Sequence, residues 1–152
     1  MPDLQVGSQA PPIHLQTDTG ETFDLASARG KNIVLFFYPK ADTPGCTTEA
    51  CEFRDSYSKF GQDTMILDIS ADTPAKQAKF KNKFTFPYPL LADVDHVTAE
   101  AYGVWKEKSM YGKKYFGIER TTFLIDKEGK IVKIFNKVKP AGHAEEVLQS
   151  LV

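Results

Sequence analysis

Apolar runs alternate with segments of helical periodicity along the first half of the chain. Residues 33–38 are continuously apolar and partly β-branched, which is typical of a strand covered on both faces. Apolar residues then recur at steps of three and four, which predicts an amphipathic helix over residues 44–60. A second strand is predicted at residues 65–69, and a second helix opens at Pro74 and continues through Phe84. This order predicts an α/β protein.

A short hairpin is predicted before the first buried strand. Residues 13–17 and 22–25 are extended segments on either side of Asp18-Thr19-Gly20-Glu21, which has the composition of a turn. One helical turn over residues 25–29 follows, and Gly30 closes it.

The second half of the chain predicts another hairpin and a closing helix. Residues 121–125 and 130–135 are strands joined by Lys127-Glu128-Gly129, a sequence with tight-turn chemistry. Residues 141–151 form an amphipathic helix with Leu151 on its core side. The intervening elements are a short apolar run at residues 90–91, a helix at 96–102 and a polar loop at 106–114.

A βαβ unit followed by a ββα unit on one sheet is the order of the thioredoxin fold. We therefore predict a thioredoxin-like α/β fold, with a central mixed β-sheet flanked by helices and an N-terminal β-hairpin extension, as a single domain over residues 1–152. In this topology the third core strand runs antiparallel to the first. The start of strand 121–125 then lies at the same sheet edge as the end of strand 33–38, which places Arg120 close to Cys46.

Composition and charge narrow the function classes. The hydrophobic content of 41% and charged content of 26% are ordinary for a globular protein. A net charge of -1 provides no global field to recruit nucleic acid or an anionic membrane. No apolar run approaches the ~20 residues of a membrane span. The chain start lacks the basic and apolar regions of a signal peptide, so the expected location is cytoplasmic.

Both cysteines of the chain fall within the predicted helix of residues 44–60. Thr43 and Pro44 suit an N-cap and a first helical turn, which puts Cys46 in that turn on the core-facing side. The partial positive charge and unpaired N–H groups there favour the thiolate, the nucleophilic form of cysteine. Cys51 falls about 140° around the helix, toward solvent. The three histidines share no ligand spacing with the cysteines, so neither a metal nor another cofactor is predicted.

The residues expected around Cys46 suit attack on a peroxide. Arg120 adds a permanent cation, and Thr43 can offer its hydroxyl to the same pocket. Such groups stabilise the negative charge that builds on the leaving oxygen when the O–O bond breaks, and the product on sulfur is a sulfenic acid. Glu49 either orients neighbouring groups or simply favours the first turns of the helix.

Cys51 suggests how such a sulfenic acid would be removed. On an intact helix the Cα atoms of Cys46 and Cys51 are ~8–9 Å apart, whereas a disulfide needs less than about 7 Å. We therefore hypothesise that the first turns unwind after oxidation, which allows Cys51 to condense with the sulfenic acid. Two alternatives remain, a thiol redox sensor and a thiol–disulfide oxidoreductase; the latter needs a cysteine where Thr43 stands.

Several motifs resemble those of a known family. Pro39, Thr43 and Cys46 form a P-x-x-x-T-x-x-C pattern, Glu49-Ala50-Cys51-Glu52-Phe53-Arg54-Asp55 follows it, and residues 112–126 contain Arg120 before a strand. With these motifs the chain resembles the peroxiredoxins, specifically the bacterioferritin comigratory protein (PrxQ) group, over essentially its whole length.

The resemblance implies a role for each motif residue. Cys46 would be the peroxidatic cysteine, Thr43 and Arg120 would bind and polarise the peroxide, and Pro39 would shield the thiolate from solvent. Cys51 matches the group's resolving cysteine, which forms an intramolecular disulfide with the peroxidatic one. The implied substrates are hydrogen peroxide and organic hydroperoxides, the implied reductant is thioredoxin or a similar dithiol, and members are often monomeric.

The chain departs from the group's usual pattern at three places. Ala41 stands where an acidic residue is common, Gln77 falls near where a histidine is often seen, and residues 67–72 are less typical. These departures bear on substrate preference rather than on activity.

Overall fold

The computed structural model describes residues 4–150, apart from the side chain of Met110. Leu151, which we predicted on the core side of the last helix, lies outside this range, as do the first three residues of the chain start considered for a signal peptide. The strands are β1 His14–Thr17, β2 Thr22–Asp24, β3 Asn32–Phe37, β4 Thr64–Ser70, β5 Leu90–Ala92, β6 Trp105–Met110, β7 Lys113–Ile118, β8 Thr121–Ile125 and β9 Ile131–Phe135. The helices are α1 Pro44–Asp55, α2 Pro74–Phe84, α3 Val97–Ala101 and α4 His143–Ser150, with single 3₁₀ turns at Leu25–Ala28 and Tyr57–Phe60.

Seven of these strands form one mixed sheet in the order β2-β1-β5-β4-β3-β8-β9. The central pairs β3–β4 and β4–β5 are parallel, whereas β3–β8 and β8–β9 are antiparallel. The β1–β2 hairpin adds to the far edge through an antiparallel pairing of β1 with β5. This topology confirms the predicted thioredoxin-like fold and its N-terminal hairpin.

The sheet is covered on both faces, as the apolar run in β3 predicted. Leu35 and Phe37 belong to one buried cluster, together with Ala99 of α3. Phe36 alternates with them and belongs to a second cluster, which contains Cys46 of α1. Successive side chains of a strand point to opposite faces of the sheet. Because both faces are covered, every residue of β3 after Asn32 is buried. Cys46 therefore lies on the face that α1, α2 and α4 cover.

The prediction of a polar loop at residues 106–114 is wrong. Strands β6 and β7 form a two-stranded hairpin outside the main sheet, and Tyr111 and Gly112 at its turn both have positive φ, 52° and 78°. That pair of left-handed residues is what a tight two-residue hairpin turn requires. Because much of the hairpin is exposed, its sequence lacks the apolar alternation of a half-buried strand.

The predicted helix of residues 44–60 is too long at its C-terminal end. Helix α1 ends at Asp55, and Ser56 leads into the 3₁₀ turn Tyr57–Phe60. Tyr57 is 41% exposed, whereas Phe60 is buried. The tighter turn rotates the chain, so Phe60 reaches the core and Tyr57 does not. In residues 4–150 no helix is long and apolar enough to cross a membrane.

Candidate active site

The end of β3 and the start of β8 meet at one sheet edge, as predicted. Phe37 pairs with Thr121 in the antiparallel ladder, so Arg120 lies beside the point where the chain leaves β3. Residues 38–43 then connect β3 to the first turn of α1, which carries Cys46. The sheet thus brings together residues that are 74 positions apart in sequence.

Arg120 contacts the Cys46 thiol directly. Its Nη2 donates to Cys46 Sγ at 3.2 Å, and Cys46 is only 1% exposed. Gly45 makes room for this approach, because a Cβ at that position would come within 3.2 Å of Arg120 Nη2 and 3.4 Å of Pro140 Cγ. The expectation that Arg120 lies close to Cys46 is confirmed.

Glu49 forms an ion pair with the other side of the same guanidinium. Arg120 Nη1 donates to Glu49 Oε1 at 2.8 Å. The Glu49 side chain is completely buried, and its second oxygen has no hydrogen-bond partner among the residues that the structure describes. Burial raises the pKa of Glu49 to about 7, against the opposing effect of the Arg120 charge. Of the two interpretations of Glu49, the structure supports the one in which it orients a neighbouring group.

Thr43 occupies the N-cap position of α1 without capping it. Its backbone is extended, with φ −94° and ψ 156°, but its hydroxyl donates to the Lys40 carbonyl at 2.8 Å instead of accepting from the helix. The predicted N-cap position of Thr43 is confirmed, but its side chain makes no capping bond to the helix and bonds to the loop instead. Pro39 is exposed in the same loop.

Cys51 is half-buried rather than turned to solvent. Its side chain packs against the buried cluster that contains Cys46, and both thiols are free. Burial raises the pKa of Cys51, while the nearby Arg54 charge lowers it in part. The predicted 140° separation around α1 does not bring Cys51 fully into solvent, because its side chain packs against this buried cluster.

Three further side chains connect α1 to its surroundings. Tyr88 donates its hydroxyl to the Ala50 carbonyl at 2.7 Å. Arg54 Nη1 donates to the Phe84 carbonyl at 2.7 Å, and Glu52 accepts from Gly142 N at 2.9 and 3.0 Å. The sequence did not reveal these contacts, because they join residues 30 to 90 positions apart.

Lys108 is another residue that the sequence analysis missed. It comes from β6, in the segment predicted as a loop, and its Nζ donates to the Ile118 carbonyl two residues before Arg120. Burial and the Arg120 charge lower the pKa of Lys108, whereas the negative charges of Glu119 and of Cys46 act in the opposite direction. The hairpin therefore brings a second cation to the neighbourhood of Cys46.

Comparisons with known proteins show the family to which the chain belongs. A sequence profile described as the AhpC/TSA family matches residues 6–134. Peroxiredoxin Bcp of Bacillus subtilis is 52% identical over 149 residues, covering 97% of this chain and 95% of the relative. Peroxiredoxin Bcp of Escherichia coli K12 is 43% identical over 154 residues, covering 99% and 97%.

Solved structures of similar proteins have the same fold. A structure of the Xanthomonas campestris bacterioferritin comigratory protein, studied for alkyl peroxide reduction, has a TM-score of 0.87 at 41% identity and covers 91% of this chain and 89% of its own. A cysteine-to-serine mutant of Xylella fastidiosa PrxQ has a TM-score of 0.93 at 35% identity, with 99% and 97% covered. This chain therefore belongs to the AhpC/TSA family and, within it, to the Bcp/PrxQ peroxiredoxins, which are thiol peroxidases.

Proposed function

We propose that this chain reduces hydrogen peroxide and organic hydroperoxides through a sulfenic acid at Cys46, that Cys51 resolves it as an intramolecular disulfide, and that thioredoxin or a similar dithiol recycles the enzyme. The observation that carries the proposal is the 3.2 Å contact from Arg120 Nη2 to Cys46 Sγ in the first turn of α1. This contact places a permanent cation and an N–H donor directly beside the proposed nucleophile.

In the first step the Cys46 thiolate attacks the terminal oxygen of the peroxide. The S–O bond forms as the O–O bond breaks, and the attacked oxygen keeps its hydrogen as the S–OH group of the sulfenic acid. The leaving oxygen departs as hydroxide or alkoxide and takes a proton from solvent to become water or an alcohol. Arg120 stabilises the negative charge as it moves from sulfur to that oxygen. The Thr43 hydroxyl gives its hydrogen to the Lys40 carbonyl, so its lone pairs are free to accept from the peroxide O–H. Pro39 shields the thiolate.

Glu49 positions Arg120 for this step. A guanidinium has five N–H donors in a rigid plane, so the 2.8 Å bond from Nη1 to Glu49 orients Nη2 toward Cys46. Burial lowers the pKa of Arg120, but the charges of Glu49 and Cys46 together outweigh it and raise the pKa above its usual value. The cation is thus held in place at the edge of the buried cluster.

The second step requires α1 to open. Cys46 and Cys51 are five positions apart on one helix, and their ~8–9 Å Cα separation exceeds what a disulfide spans. The N-terminal end of α1 is the end suited to unwinding, because Thr43 supplies no capping bond and a missing cap weakens a helix by about 1 kcal/mol. Glu52 and Arg54 hold the other end to Gly142 and Phe84.

Cys51 is suited to resolution rather than to peroxide attack. Its raised pKa keeps the thiol protonated in the closed helix, so it does not compete with Cys46 for peroxide. When the helix opens, the Cys51 thiol attacks the sulfenic sulfur, the S–S bond forms and the oxygen leaves as water. A dithiol then reduces the disulfide by exchange, and α1 refolds.

Several wider predictions belong to the same proposal. Both reacting cysteines come from one chain and the cycle uses no cofactor, so a monomer is sufficient. We expect a single domain in the cytoplasm, without nucleic-acid or membrane partners.

A coupled assay tests the proposal against its alternatives. Peroxide, thioredoxin, thioredoxin reductase and NADPH are combined with the protein, and NADPH loss is followed. We expect peroxide-dependent turnover that Cys46→Ser abolishes. A redox sensor would react with peroxide without sustained turnover, and a thiol–disulfide oxidoreductase would reduce a model disulfide without peroxide. Absence of any turnover would overturn the proposal.

A further inference from the structure

A buried hydrogen-bonded network lies behind the loop that connects β3 to α1. Its members are Tyr38, Asp68, Ser70, Asp72 and Gln77, which we call the Asp72 network, and all five are buried. Tyr38 directly follows β3, Asp68 and Ser70 belong to β4, Asp72 lies between β4 and α2, and Gln77 belongs to α2.

Gln77 is the centre of the network. It accepts from the Tyr38 hydroxyl at 2.7 Å, and its Nε2 donates to the Leu91 carbonyl at 2.8 Å and to Ser70 Oγ at 3.0 Å. A longer contact of 3.3 Å joins Nε2 to Asp68 Oδ1. Both ends of the amide are therefore satisfied, and the Gln77 side chain has one defined orientation.

Asp72 connects this network to the loop. Its Oδ2 accepts from Ser70 Oγ at 2.8 Å and from the Ala41 backbone N–H at 2.7 Å. Ala41 lies midway between Pro39 and Thr43. A carboxylate that accepts a backbone N–H makes one of the stronger hydrogen bonds in proteins. The loop is thus held from its buried side by a single carboxylate oxygen.

The loop needs such a restraint. The residue after Ala41, Asp42, has φ 60°, a left-handed conformation that is uncommon for residues other than glycine. Such a conformation costs of order 1–3 kcal/mol and persists only where the surroundings impose it. Its side chain pairs with Lys83 at 3.0 Å, but this pair is exposed and contributes little. The Asp72–Ala41 bond is partly buried, and Ala41 itself packs against the buried cluster that contains Cys46.

We propose that Asp72 is a positioning residue of the peroxide site, which holds residues 39–43 in the shape that places the Thr43 hydroxyl for the peroxide. The inference rests on the proposed function, because it needs Thr43 to bind peroxide. Asp72 acts through the Ala41 N–H and does not touch the reacting atoms.

Two reactions of Cys46 can distinguish a loss of loop positioning in Asp72→Ala from a general loss of protein stability. Alkylation by iodoacetamide requires the thiolate alone, whereas oxidation by hydrogen peroxide also requires the loop groups. A displacement of about 1 Å in such groups can cost about 100-fold in rate. We expect Asp72→Ala to slow oxidation by roughly 10- to 100-fold while alkylation changes by less than about threefold.

Two comparison variants complete the test. Asp72→Asn keeps an oxygen that can accept from Ala41 N and should restore most of the oxidation rate. Asp93→Ala is the matched control, since Asp93 is also buried and accepts backbone N–H groups, from Ala99 at 2.7 Å and Thr98 at 3.1 Å, but at the start of α3. It should lower thermal stability without slowing oxidation. If Asp72→Ala does not fold, Ser70→Ala removes one partner of Asp72 and should give a smaller loss in the same direction.

The proposal is overturned if Asp72→Ala oxidises at the wild-type rate, if oxidation and alkylation slow equally, or if Asp93→Ala reproduces the effect. Thr43→Val distinguishes this failure from that of the proposed function. If Thr43→Val leaves oxidation unchanged, the assignment of Thr43 to the peroxide site is wrong and the role of Asp72 falls with it. If Thr43→Val slows oxidation and Asp72→Ala does not, only the role of Asp72 is refuted.

Discussion

Replacing Tyr88 by phenylalanine should accelerate formation of the Cys46–Cys51 disulfide. The Tyr88 hydroxyl donates to the carbonyl of Ala50, the residue immediately before Cys51. Ala50 lies between Cys46 and Cys51 and must move when this part of the helix opens. The hydrogen bond from Tyr88 to Ala50 therefore stabilises the closed state. The substitution removes one oxygen and keeps the ring in its contacts with Phe36 and Phe86, whose centroids lie 5.9 and 5.5 Å away.

The size of the effect follows from the strength of one hydrogen bond. A buried bond of this kind contributes a net of about 0.5–1.5 kcal/mol. If opening is a rapid equilibrium that precedes disulfide formation, the open population and the resolution rate rise by the same factor. At about 1.4 kcal/mol for each tenfold change, the expected increase is about 2- to 13-fold. Oxidation of Cys46 by peroxide should not change, because it occurs in the closed state.

Rapid quenching measures both steps. After one equivalent of peroxide, samples are trapped with a sulfenic-acid reagent and a thiol reagent, and the species are counted by mass spectrometry. Tyr102→Phe is a matched control, because Tyr102 is also buried and donates to a backbone carbonyl, that of Pro11, at 2.7 Å. It should lower stability similarly without changing the resolution rate. An unchanged resolution rate in Tyr88→Phe, or an equal increase in Tyr102→Phe, would refute the role of the Ala50 contact.

Three other predictions concern the charged and sulfur groups of the site. Arg120→Leu should slow oxidation of Cys46 by at least about tenfold, because it removes the donor at 3.2 Å and the charge opposite Glu49; a stopped-flow rate constant equal to wild type would exclude Arg120 from the chemistry. Glu49→Gln should flatten part of the pH dependence of stability, since the folded-state pKa is raised from 4.5 to about 7 and the folded protein therefore binds the proton more tightly. The difference in the free energy of unfolding, wild type minus Glu49→Gln, should then fall by up to about 3 kcal/mol as the pH rises from 4.5 to 7. Denaturant unfolding at several pH values measures this difference, and a constant or rising difference contradicts the prediction. Cys51→Ser should reduce peroxide once per molecule, stall with thioredoxin and over-oxidise at Cys46, whereas sustained turnover would show that Cys51 is not the resolving cysteine.

The contact between Arg120 and Cys46 could be predicted because it follows from strand order. Once β3 and β8 are antiparallel neighbours, the end of one and the start of the other must share an edge. The apolar run in β3 also predicted its burial on both faces. These features depend on hydrophobic pattern and topology, which a single sequence carries well.

The remaining contacts depend on the directions of individual polar groups. The Thr43 hydroxyl could cap the helix or bond within the loop, and only the three-dimensional arrangement selects Lys40 as its partner. The Asp72 network joins residues of β4 and α2 with residues of the loops that follow β3 and β4, so no local spacing identifies it. The β6–β7 hairpin was missed because its exposure removes the apolar alternation that marks a half-buried strand, and Lys108 was missed with it.

The central claim is that α1 unwinds so that Cys46 and Cys51 can form a disulfide. Intact mass and disulfide mapping after one equivalent of hydrogen peroxide test this claim most directly. We predict that the protein loses two hydrogen atoms, that cleavage after Glu49 gives one linked peptide pair containing Cys46 and Cys51, and that no disulfide joins two chains. A product that retains an added oxygen on Cys46 while Cys51 stays a free thiol, or a disulfide between chains, would contradict the proposed cycle.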